Sequence, residues 1–541
     1  MINWIHYFII NVLKKFKSII INTFYREPNS VLNYLKSIKA INSINKIYTQ
    51  SKNNQNKYKS LLLDGGFYNL GYFYRLQLIR SALKSEKIKE HAFIWDSNLS
   101  KCKNLLKLIG IKNIFVLKGD FNKDIYLKAE NIAKEINSCQ DLLNIKLPYK
   151  LPGQFLYDTV LKRQRKDTVD LKDKNLKEYI YKFLYSIKFS EDLINNLKPD
   201  IIALSHNVSY QCTPLAWLAS QKGIKTIILQ GDYGIPRFWK ILEPNDIYDE
   251  TNRPRKKDLD KLSDKRKSRL SNVGRKYILN RISGNSSDIG SRYAFQSASK
   301  KLSELGINKK DKKIIAIYSA CFFDFPHCYG MTRFIDMLDW LNLTIKKASE
   351  NKEILWLLKP HPMEKWYGGI KLSQLVENKL SENIILLPYS YTGKEIINIS
   401  DGLVTFHGTS GIEYAALGKP VLVADKGWYH DYGFVVFPKS REDYSNLLTK
   451  KWYENIDLDK AKYNAEIFSG MFYGIPKWQE NLILPDDSDK SLLAKNLPKL
   501  VKYQNKLIYK EIKLIKKWLN SDSKVYQNFK IENNNILTNL T

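Results

Sequence analysis

Short apolar runs alternate with longer segments in which apolar residues follow helical spacing. The runs fall into two groups separated by more than 80 residues. Strands that alternate with helices in this way predict parallel sheets covered by helices on both faces. The first group covers 60–64, 91–95, 113–117, 200–204 and 225–230; the second covers 313–318, 353–358, 383–387, 402–406 and 420–424.

The two groups divide the 541-residue chain into two doubly wound, Rossmann-like domains in series. The predicted fold class is therefore α/β, with two domains facing a cleft and basic helical extensions at both ends. Ligands of such sheets bind beyond the carboxyl ends of the strands. The predicted organisation is a basic amphipathic extension (1–55), an N-terminal domain (56–245), a basic linker or insertion (246–312), a C-terminal domain (313–480), and C-terminal helices with an Asn-rich, loose tail (481–541).

The composition favours an anionic partner. Lys and Arg number 87 and Asp and Glu 55, so the net charge is 87 − 55 = +32. Nucleic acid, an anionic membrane or a phosphorylated substrate would each suit this balance, although a general bias towards Lys, Asn and Ile explains the excess equally well. Five scattered cysteines without a C-x-x-C pair argue against a disulfide framework and a zinc ribbon, and for a reducing compartment.

The N-terminal 25 residues predict an amphipathic helix that is too interrupted by lysines to span a bilayer. A helix lying on the inner membrane surface is one interpretation, and a helix packed on the protein's own core is the other. Basic residues also dominate 251–280, where eleven Lys and Arg face three Asp with little periodicity, which predicts a surface linker. The predicted apolar face of the N-terminal helix comprises Ile5, Phe8, Ile9, Val12, Phe16, Ile19 and Ile20.

Two candidate binding turns follow strands of the second domain. Lys359-Pro-His361-Pro362 is a proline-stiffened turn in which Lys359 or His361 could meet a phosphate, although an ordinary stiff strand exit has the same pattern. In the turn 406–413, Thr409 or Ser410 would cap a helix whose free N–H groups and positive end attract anions. Glu413 could accept a ribose hydroxyl or close a capping box. The turn also contains His407 and Gly408.

An acidic residue in the first domain is the candidate general base. Asp232 lies between glycines after the strand 225–230, where a carboxylate would face the cleft. Asp64, after the strand 60–64, is its rival, and either could be a turn residue that satisfies its own backbone. The sequence lacks G-x-x-x-x-G-K-[ST] and G-x-G-x-x-G, which argues against P-loop chemistry and a simple dinucleotide fold. Asp258-Leu-Asp260 is interpreted as surface, and no zinc site is predicted.

The sequence resembles the capsule polysaccharide synthesis glycosyltransferases in three segments, 359–362, 405–421 and 427–433. This family includes the bacterial β-Kdo transferases and is related to the HP-motif sialyltransferases. The resemblance covers about 313–440, with Tyr414-Ala415 in place of the family's Ala-Leu. It implies a GT-B fold whose second domain holds the donor. His361 and Pro362 would frame a cytidine, Thr409 and Ser410 would hold phosphate, and Lys359 would stabilise the leaving group.

The resemblance further implies an inverting, metal-independent transfer from a CMP-activated sugar, with no cofactor beyond the donor itself. Asp232 would deprotonate a glycan or lipid-linked acceptor, and the enzyme would work in the cytoplasm or on the inner face of the cytoplasmic membrane, without binding nucleic acid. A CDP-glycerol-type polyol-phosphate transferase is a close alternative. A non-catalytic protein that binds nucleic acid or lipid, and a scaffold that has lost catalysis, are further alternatives.

Overall fold

A computed structural model describes residues 35–44, 58–84, 88–95, 99–117, 121–231, 236–284, 294–295, 312–362, 364, 368–474 and 490–533. The predicted amphipathic helix near the N-terminus and Asp232 lie outside these residues. From the predicted N-terminal extension, 35–44 is helical, and its Ile38, Ile41 and Ile44 are buried in the core of the first sheet.

The first sheet has six strands in the order β3-β2-β1-β4-β5-β6. Its five leading strands are parallel, and β1 and β4 are buried along almost their whole length because helices cover both faces. The sixth strand pairs antiparallel with β5 and was not predicted. The strands are β1 (Ser60–Asp64), β2 (Lys89–Ile94), β3 (Asn113–Val116), β4 (Ile201–Leu204), β5 (Lys225–Ile228) and β6 (Trp239–Ile241).

Between residues 70 and 221, the described part of the first lobe contains seven α-helices. The first begins at the Asn69 cap, whose side chain accepts a hydrogen bond from the Tyr72 N–H, and it is buried along its whole length. The helices are α1 (Leu70–Leu83), α2 (Leu99–Leu108), α3 (Lys123–Glu135), α4 (Cys139–Leu143), α5 (Gly153–Gln164), α6 (Leu176–Leu197) and α7 (Ser209–Gln221), and 3-10 turns cover Pro148–Lys150, Pro244–Ile247 and Asp249–Asn252.

The second sheet has five parallel strands in the order β11-β10-β7-β8-β9. Two parallel, helix-covered α/β lobes confirm the predicted GT-B-like fold class. The strands are β7 (Lys313–Tyr318), β8 (Ile354–Lys359), β9 (Ile384–Leu386), β10 (Gly402–Thr405) and β11 (Val421–Val423). The helices are α10 (Met337–Glu350), α11 (Leu372–Val376), α12 (Gly393–Ile399), α13 (Ser410–Ala416), α14 (Arg441–Leu448) and α15 (Leu458–Tyr473).

The described part of the predicted linker is largely helical. Two helices, α8 (Lys256–Asp260) and α9 (Asp264–Ile282), occupy much of the segment that was predicted to be a surface linker or insertion. The second of them packs along α15 so closely that a Cβ on Gly274 would lie 1.9 Å from the Glu466 carbonyl oxygen. The helical pattern was hard to see in the sequence because only a narrow face of α9 is buried. That face consists of Leu270, Ser271, Gly274, Ile278 and Arg281.

The C-terminal segment returns to the first lobe as α16 (Lys490–Tyr503), α17 (Asn505–Leu519) and α18 (Tyr526–Asn533). Apolar residues of α17, among them Ile508, Ile512 and Trp518, join the core that covers α1 and one face of the first sheet. The last twenty residues were predicted to be loose, but the part of them within α18 is ordered by its contacts with this core and with α15. The exact domain boundaries stay predictions.

Candidate active site

The two predicted binding turns of the second lobe lie at the same edge of one sheet. In the strand register, Tyr318 at the end of β7 is paired with Lys359 of β8 on one side and with Thr405 of β10 on the other. The turns that follow Lys359 and Thr405 are therefore two strand spacings apart, about 10 Å. The chain reverses its direction of travel across the sheet between β7 and β10, which is where doubly wound sheets open a crevice.

Lys359 is buried at the floor of this crevice. Its Nζ donates to the Tyr391 carbonyl oxygen at 3.2 Å and lies 5.8 Å from the centroid of the Tyr318 ring. Burial lowers its pKa to about 8, so the side chain is still mostly protonated at pH 7. A positive charge is thereby held in a region with little water, where it acts more strongly on a nearby anion than a surface lysine would.

His361 and Pro362 follow this lysine in the turn after β8, and both are half-buried. Burial lowers the pKa of His361 to about 4; the charge of Asp324 opposes the shift and that of Lys359 adds to it. The imidazole is therefore neutral at pH 7 and can accept as well as donate a hydrogen bond. A neutral ring suits contact with a base edge or a sugar better than charge pairing with a phosphate.

The turn between β10 and α13 is fixed by Tyr429. The Tyr429 hydroxyl donates to the Gly408 carbonyl oxygen, and a Cβ on Gly411 would lie 2.2 Å from that hydroxyl. Beside it, His407 Nδ1 lies 3.1 Å from the Lys426 carbonyl oxygen, and Gly427 is packed against the His407 ring. Close packing therefore requires a glycine at positions 411 and 427.

Ser410 has the one hydroxyl of this turn that is without a hydrogen-bond partner among the described residues, although its side chain is largely buried. The neighbouring Thr409 hydroxyl lies 3.4 Å from an Arg281 guanidinium nitrogen. Thr409 makes no side-chain cap bond to α13. A ligand oxygen would therefore find a free donor at Ser410 and a guanidinium one residue away.

Glu413 neither closes a capping box nor faces the crevice unpaired. Its Oε1 accepts from Arg281 Nε at 2.5 Å, and both side chains are at most 5% exposed. Arg281 was not predicted as a site residue because it belongs to α9, in the segment interpreted as a linker. The ribose-binding role of Glu413 stays a prediction, and any sugar hydroxyl would meet a carboxylate whose charge is already balanced.

In the first lobe, Asp64 is buried and already engaged. It accepts hydrogen bonds from the Gly66 N–H at 2.8 Å, from the Ser205 N–H at 3.1 Å and from the Ser205 hydroxyl. The Cys212 thiol lies 3.6 Å from the same carboxylate. These donors occupy both carboxylate oxygens, so little of Asp64 is left to contact a substrate hydroxyl.

His206, directly after β4, was not singled out as a candidate from the sequence. Its Nδ1 lies 2.9 Å from the Ser205 hydroxyl oxygen, and its ring meets the Phe67 ring edge-on at 4.7 Å. The strand β4 lies beside β1, and the chain reverses its direction across the first sheet between these strands. A His at such a strand end was therefore a signal that sequence reasoning could have used.

Asp324, on the loop after β7, brings the two lobes together. Its charge acts on the imidazoles of both His206 in the first lobe and His361 in the second. Lys162 of α5 donates to it at 2.7 Å, across the lobe boundary. One turn earlier on α5, Asp158 pairs with His327 at 2.6 Å. The two strand-edge crevices therefore open onto one shared cleft.

Among the described residues, no cluster of three or more His, Cys, Asp or Glu side chains could hold a metal ion. Asp258 instead caps α8 and accepts from Asn528 at 2.9 Å. The five cysteines are all free thiols. None of the helices in the described ranges is long and apolar enough to cross a membrane.

No protein-family model matches the chain, and no curated protein sequence matches it significantly. Solved structures that it resembles include the UDP-GlcNAc 2-epimerase of Neisseria meningitidis bound to UDP-GlcNAc, at 13% identity and a TM-score of 0.23 over 75% of this chain and 97% of the other. A glycosyltransferase of Rickettsia africae matches at 13% identity and a TM-score of 0.26 over 84% and 99% of the two chains. The glycosyltransferase VinC, solved with dTDP, matches at 11% and 0.25 over 82% and 99%. At these scores the overlays define neither activity nor substrate.

Proposed function

We propose that the chain is a glycosyltransferase that transfers a sugar from a nucleotide donor to a glycan acceptor bound in the cleft. One observation carries this proposal: a buried cationic lysine, a neutral histidine and an unpartnered serine hydroxyl lie at or just after the ends of the two strands that flank β7, at one edge of the second sheet. A nucleoside diphosphate or nucleoside monophosphate ester offers an anion, a planar base and sugar hydroxyls to match these three groups.

The donor would lie across the second lobe. Its phosphate would accept a hydrogen bond from the Ser410 hydroxyl and would be attracted by the charge of Lys359. His361, Pro362 and the main chain around them would hold the base, as the family resemblance implies. The acceptor would lie on the side of the first lobe, near His206, on which the charge of Asp324 from the second lobe also acts.

The chemistry that suits this arrangement is inverting displacement. A base of the first lobe removes the acceptor hydroxyl proton, the acceptor oxygen attacks the anomeric carbon, and the bond to the phosphate oxygen breaks. Lys359 and Ser410 would stabilise the charge that develops on the leaving phosphate. Metal independence, with no cofactor beyond the donor, is part of the proposal.

The proposed donor, product and cellular location follow from the same family resemblance. The donor is proposed to be a CMP-activated sugar, and the product a capsular or lipid-linked polysaccharide made at the inner face of the cytoplasmic membrane. Basic termini would bring the enzyme to lipid-linked acceptors on that surface. A polyol-phosphate transferase that uses a CDP donor would occupy the same crevice and is therefore an explicit outcome of the test.

The test is a thermal-shift screen of the full chain with CMP, CDP, UDP, GDP and ADP, because a ligand that binds only the folded state raises Tm by mass action. CMP should raise Tm. The variants Ser410→Ala and His361→Ala should each weaken nucleotide binding about 5- to 30-fold, the loss of one or two hydrogen bonds, without unfolding the chain. Ser268→Ala, on the exposed side of α9, is the matched control.

The outcomes separate the possibilities. A shift with CDP alone supports polyol-phosphate transfer, and a shift with UDP, GDP or ADP retains the nucleotide site but overturns the CMP donor. Normal binding by both Ser410→Ala and His361→Ala contradicts the site. If no nucleotide raises Tm and RNA binds with a steep salt dependence, the chain is a nucleic-acid-binding protein and the proposal fails.

A further inference from the structure

A three-residue relay lies at the crevice of the first sheet. The carboxylate of Asp64, at the end of β1, accepts from the Ser205 hydroxyl, and the same hydroxyl oxygen lies 2.9 Å from His206 Nδ1. Ser205 also donates its backbone N–H to Asp64 at 3.1 Å. The relay thus connects the ends of two neighbouring strands and is held by both main-chain and side-chain bonds.

The chemistry of the relay fixes the tautomer of the histidine. A serine hydroxyl has one proton, and here Asp64 accepts it. The Ser205 oxygen can then only accept from His206, so Nδ1 carries the proton and Nε2 keeps its lone pair. Among the described residues, no group forms a hydrogen bond with Nε2, and the imidazole is only half-buried.

The surroundings keep this imidazole neutral and place it in the cleft. Burial lowers the pKa of His206; the charges of Asp64 and Asp324 oppose the shift, and Arg75 adds to it. Asp64 and Arg75 belong to β1 and α1, whereas Asp324 comes from the second lobe. The Phe67 ring covers one edge of the imidazole and restricts its rotation.

We propose that His206 is the catalytic general base of the transfer and that Ser205 and Asp64 are its positioning residues. This inference rests on the proposed function. Nε2 takes the proton of the acceptor hydroxyl as that oxygen bonds to the anomeric carbon and the nucleotide phosphate leaves with the electron pair of the broken bond. The resulting imidazolium is stabilised through Ser205 by the buried negative charge of Asp64.

This assignment replaces the sequence-based candidates for the base. Asp64 acts through His206 rather than on the substrate, because its oxygens are occupied by the Gly66 and Ser205 donors. Asp232 is the remaining competitor and is therefore included in the test. The two assignments predict opposite results for the variants of His206 and Asp232.

The experiment uses the full chain with the donor identified by the nucleotide screen. His206→Gln should lower kcat at least about 100-fold, the usual worth of a general base, while the nucleotide-induced rise in Tm is unchanged. Asp64→Asn and Ser205→Ala should lower kcat less and shift the acid limb of the pH–rate profile. Asp232→Asn should retain most of the rate, and His91→Gln, on β2, is the matched control.

A second readout does not depend on activity. Nitrogen-15 NMR of the imidazoles should show His206 as the Nδ1–H tautomer near pH 7, and Ser205→Ala should shift or broaden that signal. An Nε2–H tautomer overturns the proposal, and so does a His206→Gln enzyme within threefold of the wild-type kcat while Asp232→Asn is inactive. If the wild type neither binds nucleotides nor transfers, the proposed function fails, and the NMR result still decides whether the relay exists.

Discussion

At the scale of single residues, the pair of Arg281 and Glu413 shows what the sequence could and could not predict. The turn that contains Glu413 was predicted because its residue types are unusual and follow a strand. The partner of Glu413 lies 132 residues earlier, in a basic helix, and no local pattern joins the two. Likewise, the proposed role of His206 depends on its link to Asp64 through Ser205. Asp64 lies far earlier in the sequence, so only the fold brings the two residues together.

Because the Arg281–Glu413 pair is buried, we expect a single variant to lose much more stability than the double variant. Arg281→Met should lower the free energy of unfolding by about 3–5 kcal/mol, because it leaves a buried carboxylate without its partner. The double variant Arg281→Met/Glu413→Leu should recover much of that loss, since no buried charge remains. Urea denaturation measures both. A single variant within about 1 kcal/mol of the wild type would mean that Glu413 does not depend on Arg281.

His361 predicts a pH dependence of stability. Its pKa is about 4 in the folded chain and 6.5 in the unfolded one, so the unfolded state takes up a proton first as pH falls. Stability linked to this group is therefore full above pH 6.5 and is lost as pH falls towards 4. His361→Gln should flatten the decline in Tm between these values, relative to the wild type. An unchanged slope would show that His361 is solvated in the folded protein.

At the scale of elements, the strands were predictable and α9 was not. The strands of parallel sheets are buried on both faces, so they read as continuous apolar runs, and β1 and β7 have the predicted ends. The edge strand β6 is short and antiparallel, and it lacks that signal. Helix α9 has a narrow buried face because its contact with α15 is made by close backbone approach at Gly274 and Gly470, and Leu270 and Ile278 are its only fully buried large apolar side chains.

The close crossing of α9 and α15 predicts sensitivity to a single methyl group. A Cβ on Gly470 would lie 2.1 Å from the Leu270 carbonyl oxygen, and backbone cannot rotate away as a side chain can. Gly470→Ala should therefore lower the free energy of unfolding by about 2–4 kcal/mol, despite the better helix propensity of Ala. Asn272→Ala, on the exposed face of α9, is the control. Equal stability of the two variants would contradict the tight crossing.

At the scale of the whole molecule, the charge of +32 is spread over a two-lobed protein whose proposed acceptor lies at a membrane. The fold class followed from the order of strands and helices, because alternation alone constrains the sheet topology. The return of the C-terminal helices to the first lobe did not follow, since amphipathic spacing shows that a helix has a partner and not which partner it has.

Membrane association is predicted for the full chain. It should sediment with vesicles of anionic phospholipid and not with neutral ones, and the bound fraction should fall as salt screens the lysines. A variant with Lys14, Lys15 and Lys17 changed to Ser should bind less. If that variant binds as the wild type does, the N-terminal segment is not the contact. If neither binds anionic vesicles, the peripheral localisation is wrong.

The packing of α17 on the core of the first lobe also sets the order in which the chain can be completed on the ribosome. The first sheet is synthesised by residue 241, but its covering helix ends only at residue 519. At a synthesis rate of about 5–20 residues per second, roughly 15–60 s pass between the synthesis of β6 and that of the end of α17. The second lobe, synthesised in between, can finish first. A nascent chain stalled before residue 490 should thus expose the α1 face to chaperones.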